Sequence, residues 1–175
     1  RSEYFEPLKT LLAEKGRSVL VLEKEKFPRY HIGESLMPYC WFTLERLGLL
    51  ERMNEIGYVK KYSVQFVTQD GRQSQPFYFF QHYDHPSSTS WQVERSEFDH
   101  MMLENARAKG AEVCELTPVL QTIRDESGKV IGVRARANGK EFEVFAPVTI
   151  DCSGREQVAT ANAGWRMRDP KLNKL

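Results

Sequence analysis

The residues whose types and spacing could carry chemistry sit in short, separated stretches. Glu23 closes the apolar run Ser18-Val-Leu-Val-Leu22. An acid at the C-terminal end of a strand in a dinucleotide-type fold can accept hydrogen bonds from ribose hydroxyls. Within Glu23-Lys-Glu-Lys26 it also reads as an ordinary solvated strand end. Next comes Phe27-Pro-Arg-Tyr-His-Ile-Gly-Glu-Ser35. Gly33 permits close backbone approach to a flat ligand, and the planar fork of Arg29 matches phosphate oxygens. Ser35 precedes a helical pattern, where it would cap the helix or leave its amide for an anion. A plain loop and cap explain the same residues. His82-Tyr-Asp-His85 offers metal-ligating side chains. No other His or Cys stands nearby in sequence, so metal binding is the weaker reading. His31 and His100 are lone and read as structural. Phe77-Tyr-Phe-Phe80 reads first as sheet packing and second as the wall of a substrate pocket.

The elements that must position these groups follow from patterning. Pro7 to Lys15 predicts a first helix, with Leu8, Leu11 and Leu12 on one face and Gly16 as its stop. The apolar run ending at Leu22 predicts a buried parallel strand. A second helical region starts near Pro38 with Trp41, Leu44 and Leu47, and a further turn holds Leu49, Leu50 and Met53. Alternation in Tyr62–Val67 and Pro76–Phe80 around Asp70-Gly71 predicts a hairpin. Ser96 with Asp99 resembles a capping box opening a helix with Phe98, Met101, Met102 and Ala106 on one face, closed by Gly110. Strands are expected at Val119–Arg124, Val130–Ala137 and Glu141–Phe145, with turns at Ser127-Gly128 and Asn138-Gly139. The apolar run Val148-Thr-Ile150 then leads into Asp151-Cys-Ser-Gly154. Trp41, Trp91 and Trp165 are expected in the core or a cavity wall, and Asp169–Leu175 as a polar loop from which the natural protein continues.

The chain has 175 residues and a formal net charge of +1, which argues against nucleic-acid or membrane-surface binding by bulk charge. No apolar run approaches the roughly 20 residues needed to span a bilayer. Cys40, Cys114 and Cys152 fit no metal or CxxC spacing and are expected reduced and mostly buried, as in a cytoplasmic protein. The element order predicts an α/β class: a three-layer, Rossmann-like core interrupted by an inserted antiparallel sheet.

Glu23, Phe27-Pro-Arg29, Gly33-Glu-Ser-Leu-Met-Pro38, Val93-Glu-Arg95-Ser-Glu-Phe98-Asp99 and Asp151-Cys-Ser-Gly154-Arg155 occur together in this order. The combination resembles the flavin-dependent halogenase and geranylgeranyl-reductase branch of FAD-dependent oxidoreductases, from about Leu11 to the C-terminus. The resemblance implies FAD as cofactor. Glu23 would take the adenosine ribose, and Arg29 and Arg95 would lie along the cofactor, Arg95 near the phosphates or ribityl chain. Gly33, Glu34 and Ser35 would stand close to the isoalloxazine path. Val119 would offer backbone bonds to adenine, and Asp151 and Gly154 would line the ribityl–pyrophosphate region. Halogenases use a lysine soon after the "GES" helix to turn hypohalous acid into a selective agent. Lys61 stands near that place, with Lys60 as competitor and two solvated lysines as the plain alternative.

The sequence departs from that family at its start. No glycine precedes Gly16, whereas the family opens with Gly-x-Gly-x-x-Gly; Glu3 and Glu6 stand where phosphate would sit. The family's C-terminal "G-D" part and the tryptophan-halogenase "WxWxIP" segment do not occur. The expected organisation is an incomplete FAD-binding core in 1–56 and 93–175, with 57–92 as the inserted substrate-side sheet. The implied function is that of part of an FAD-dependent oxidoreductase or monooxygenase, halogenase-like or prenyl-reductase-like, acting on a small organic substrate. The alternative is a scaffold that keeps the fold without FAD. Expected partners are the substrate, a separate flavin reductase and, through open sheet edges, a second copy of the chain.

Overall fold

The structure, a computed structural model, describes residues 5–161 and 163–165, leaving aside the side chains at 5, 6, 8 and 9. Glu3, the side chains of Glu6 and Leu8, and the tail Asp169–Leu175 therefore lie outside the described residues. In chain order the helices are α1 (Phe5–Glu14), α2 (Cys40–Arg46), α3 (Leu50–Ile56), α4 (Arg95–Ala108) and α5 (Val158–Ala161). The strands are β1 (Leu20–Leu22), β2 (Val59–Lys61), β3 (Ser63–Val64), β4 (Phe77–Tyr78), β5 (Ser90–Gln92), β6 (Glu112–Cys114), β7 (Val119–Arg124), β8 (Val130–Ala137) and β9 (Lys140–Phe145). The chain divides into two compact units, Arg1–Phe27 with Asn105–Leu175, and Pro28–Glu104.

In the first unit, α1 stops where Gly16 turns to φ +69° and its amide bonds the Ala13 carbonyl at 2.9 Å. β1 then pairs in parallel with β6, Val21 opposite Val113. Parallel pairing of strands 90 residues apart in sequence needs a long crossover. The remaining strands form an antiparallel meander, β7-β8-β9. Its second turn is Asn138-Gly139, with both residues at positive φ (50° and 76°). That is the twist a two-residue hairpin turn demands. Gly132, on β8, lets β9 pass close: a Cβ there would stand 2.2 Å from the Val144 carbonyl oxygen.

In the second unit, β2 pairs with β5 and β3 with β4, both antiparallel. The expected hairpin is present but short, extended by a bridge between Val67 and Gln73 around the Asp70-Gly71 turn. Leu36, Leu44, Leu47, Met53, Trp91, Val93, Phe98, Met102 and Leu103 form the buried apolar core. Each large side chain so buried contributes about 1.5–3 kcal/mol against exposure. Trp91 lies opposite Lys60 in the β2–β5 register, and the Lys60 ammonium sits 4.5 Å from the ring centroid. Burial against this surface lowers the Lys60 pKa.

Several expectations need correction. α4 begins at Arg95, so Ser96 lies within its first turn and caps nothing. The Ser96 hydroxyl donates to Glu94, and Asp99 pairs with Arg95. The cysteines are free but not mostly buried: Cys40 and Cys114 are half-buried and Cys152 is exposed. Trp165 is 67% exposed, against the Arg124 guanidinium rather than in a core. Val148-Thr-Ile150 forms no strand.

Candidate functional site

In the first unit, Glu23 follows β1 and is held by its backbone: its amide donates to the Cys114 carbonyl and its carbonyl accepts from Thr117, at 2.9 and 2.8 Å. One carboxylate oxygen accepts from the Glu25 amide at 2.9 Å, which aims the half-buried side chain and leaves acceptor capacity. Two residues past Thr117, Val119 opens β7 opposite Ala135. The Asp151 loop closes on itself: the carboxylate accepts from the Ser153 and Ala159 amides at 2.8 Å each. Burial raises the Asp151 pKa, but these bonds and the Ser153 hydroxyl outweigh it, so the carboxyl titrates below its usual range. Gly154 takes φ +63° beside it with open space where a side chain would stand. An ion pair from Lys24 to Glu156 ties this loop to the end of β1. Glu23 is thus linked through Thr117 to the chain that enters β7 at Val119, and the loop holding Asp151 and Gly154 is tied to the end of β1 by the Lys24–Glu156 ion pair.

In the second unit, the loop Gly33-Glu34-Ser35 is tied down from two sides. The Val93 amide donates to the Glu34 carbonyl at 2.8 Å, and the Gln92 side chain to the Glu34 carboxylate at 3.3 Å. Below the loop, Arg95 is only 2% exposed. Its guanidinium makes two bonds to Asp99, at 2.8 and 3.0 Å, and donates to the Ile32 and Gly33 carbonyls at 3.1 Å each. Arg29 adds a longer contact to the same Asp99 carboxylate, 3.4 Å. Gly33 holds φ +106°, and a Cβ there would meet the Arg95 guanidinium at 3.1 Å. The loop borders an open cleft of about 400 Å³ lined by Tyr30, His31, Glu34 and Gln92–Ser96.

Lys61 ends β2, half-buried. Its ammonium donates to the Ser35 hydroxyl and, at 3.4 Å, to the Leu36 carbonyl. Lys60 points the other way, to Asn54 at 2.9 Å and over Trp91. The two lysines are therefore unequal: only Lys61 is gathered to the Gly33–Ser35 loop. Phe77 and Phe79 do not pack as sheet interior; with Met37, Pro38, Tyr39, Phe42, Tyr83, Ser87 and Ser88 they line an apolar groove of about 560 Å³. Phe77 is 46% and Phe80 57% exposed. His82 stacks on Phe77 at 4.0 Å, and His85 stacks on Phe42 at 5.4 Å. No group of three or more His, Cys, Asp and Glu side chains among the described residues could hold a metal ion.

Sequence reasoning missed Asp99 as the partner that fixes Arg95. The signal was there, because Arg and Asp four apart on a helix face each other.

A family model described as an FAD-binding domain matches residues 8–173. The chain is 35% identical, over 81% of its length, to a 1H-pyrrole-2-carbonyl-[peptidyl-carrier protein] brominase of Pseudoalteromonas luteoviolacea, covering 32% of that protein. It is 28% identical, over 94% of its length, to the corresponding chlorinase of Pseudomonas fluorescens, covering 40%. Among solved structures, the myxobacterial chondrochloren halogenase, a variant of the FAD-dependent halogenases, aligns with a TM-score of 0.75 at 35% identity, over 81% of this chain and 32% of that one. The chain therefore spans about a third of the length of such relatives. The α/β FAD-binding fold expected from the sequence is the fold these proteins share with it.

Proposed function

The chain belongs to the FAD-binding domain family, and from that premise we propose that it is part of a halogenase-like, FAD-dependent oxidoreductase acting on an organic substrate through reduced flavin. The observation that carries this reading is the Lys61 ammonium gathered onto Ser35 and Leu36, beside the glycine-containing loop.

The residues present fit FAD in kind. Glu23 is an aimed carboxylate at the end of a parallel strand, suited to a ribose diol. Gly33 keeps the loop backbone bare where a flat ring would pass. Glu23 would hold the adenosine ribose, and Val119 would offer backbone bonds to adenine. Asp151 and Gly154 would line the ribityl–pyrophosphate stretch, with Gly33, Glu34 and Ser35 along the isoalloxazine path. Arg29 and Arg95 would act on the cofactor side mainly through the loop that Arg95 fixes. When bound and reduced, the flavin supplies the electrons that activate oxygen, and with halide present the product is hypohalous acid.

An ammonium carries three donors, and Ser35 and Leu36 take two of them. The third is available to hypohalous acid. Hydrogen bonding to its oxygen would weaken the oxygen–halogen bond, so that a substrate ring carbon takes the halogen and gives up its own proton, which leaves with the hydroxyl as water. The same bond would keep the reagent from diffusing away. Residues 57–92 would form the substrate-facing sheet, and a separate reductase would supply reduced flavin. The substrate would be a small organic molecule, free or carried on a peptidyl-carrier protein. Among the described residues no helix is long and apolar enough to cross a membrane; we place the protein in the cytoplasm.

The test is Lys61→Met in the complete protein, supplied with reduced FAD, oxygen and bromide. Halogenated product should fall by about a hundredfold or more, the scale of a lost proton donor, while reduced flavin is still consumed. Product formed by the variant at the unsubstituted protein's rate would overturn the assignment of Lys61.

A further inference from the structure

We propose that Ser35 is a positioning residue for Lys61, its hydroxyl holding the ammonium in place from across a strand. This deepens the halogenase-like reading, on which it rests for what the lysine then does. Strand β5 is flanked on both edges. On one edge it pairs with β2, Lys61 opposite Ser90 and Lys60 opposite Trp91. On the other edge the segment 34–36 adds to it. Ser35 bridges Gln92, the Val93 amide donates to the Glu34 carbonyl at 2.8 Å, and the Leu36 amide donates to the Trp91 carbonyl at 3.0 Å. Side chains alternate faces along a strand, and directly paired residues share a face. Lys61, Ser90, Gln92 and Ser35 therefore stand on one face, and Lys60 and Trp91 on the other. That register is why Lys61, and not Lys60, reaches Ser35.

A serine just before a helix is expected to cap it. The cap position of α2 is instead Tyr39, and no side chain bonds there. The Ser35 hydroxyl goes to Lys61. An ammonium has protons and no lone pair, so the serine oxygen is the acceptor. The Leu36 carbonyl is the lesser acceptor for Lys61. That contact is long, at 3.4 Å, and the Ser90 hydroxyl, fully buried, already donates to the same oxygen at 2.7 Å. Ser35 is thus the acceptor that sets where the ammonium sits at the end of its flexible four-carbon stem. Three successive backbone links to β5 and its extension hold Ser35 itself in register.

The test begins on the complete protein stripped of flavin. It is acylated with limiting acetic anhydride, and labelling at Lys61 and at Lys60 is read by mass spectrometry. Ser35→Ala should raise the Lys61-to-Lys60 labelling ratio about threefold or more, because the amine is released from a hydrogen bond. Ser35→Thr keeps the hydroxyl and should hold the ratio near that of the unsubstituted protein. The same three proteins are then given reduced FAD, oxygen and bromide. Ser35→Ala should form about tenfold less halogenated product per flavin oxidised, the scale of a misplaced catalytic group, with the substrate KM unchanged. Ser35→Thr should recover most of that yield. An unchanged labelling ratio in Ser35→Ala would overturn the proposal. So would an unchanged yield per flavin in Ser35→Ala, or a Ser35→Thr protein no better than Ser35→Ala. A raised ratio in a protein that halogenates nothing, even unsubstituted, would leave Ser35 holding Lys61 and sink the halogenase-like reading alone.

Discussion

Asp99→Ala is expected to cost about 3–5 kcal/mol of stability, the penalty for stranding a buried charge. Arg95 is almost wholly enclosed, and Asp99 is the carboxylate that receives its bidentate bond. Removing the carboxylate leaves a buried guanidinium without its bidentate partner, while its bonds to the Ile32 and Gly33 carbonyls carry no compensating charge. It also removes the contact to Arg29, so two cations lose the carboxylate they share. Urea denaturation would read the loss. Replacing both partners, Arg95→Met with Asp99→Leu, should restore much of the stability, because it abolishes the charges together. The double variant would still loosen the loop before Ser35, since the Arg95 donors to its two carbonyls would be gone. A cost below about 1 kcal/mol for Asp99→Ala would show that the pair is solvated in solution and does not anchor the loop.

Gly132→Ala is expected to cost more than about 3 kcal/mol, through a steric rather than an electrostatic route. The added Cβ would stand 2.2 Å from the Val144 carbonyl oxygen and 3.1 Å from the Phe145 Cα. Both are backbone atoms of β9, so no side chain can rotate to relieve the clash. The β8–β9 ladder, paired from Gly132↔Phe145 to Ala137↔Lys140, must open at its Gly132 end. Thermal denaturation, with hydrogen exchange at Val144 and Phe145, would show lowered stability and lost protection there. Unchanged protection would mean that β9 is not packed on Gly132 as described.

Much of the meander was legible because its signals are local. Asn138-Gly139 names a turn that needs two positive φ angles, and few other residue pairs accept them. The helix α4 was legible from the spacing of Phe98, Met102 and Ala106, all buried. Its start was misread because Ser96 and Asp99 have a capping-box spacing, while the stronger partner of Asp99 is Arg95, one turn back. Strand β6 escaped notice: Glu112-Val-Cys114 is too short to show a period, and only its pairing with β1 makes it a strand. The link from Lys61 to Ser35 spans 26 residues and leaves no mark in the spacing of either stretch. It could be anticipated only from resemblance to a family. Phe77 to Phe80 looked like sheet interior because aromatic residues favour strands, but β4 keeps only two of them and the others turn into the groove wall or the solvent.

The chain is expected to bind FAD, although no glycine precedes Gly16. Titrating FAD against the purified chain and following the quenching of flavin fluorescence tests it most directly. Saturable micromolar binding, weakened about tenfold or more by Glu23→Ala as a charged hydrogen bond to ribose is lost, is the expected result. A chain that is folded by circular dichroism and shows no saturable binding would contradict the claim. The fold would then record ancestry, and the chain would be a scaffold that keeps the architecture without its cofactor.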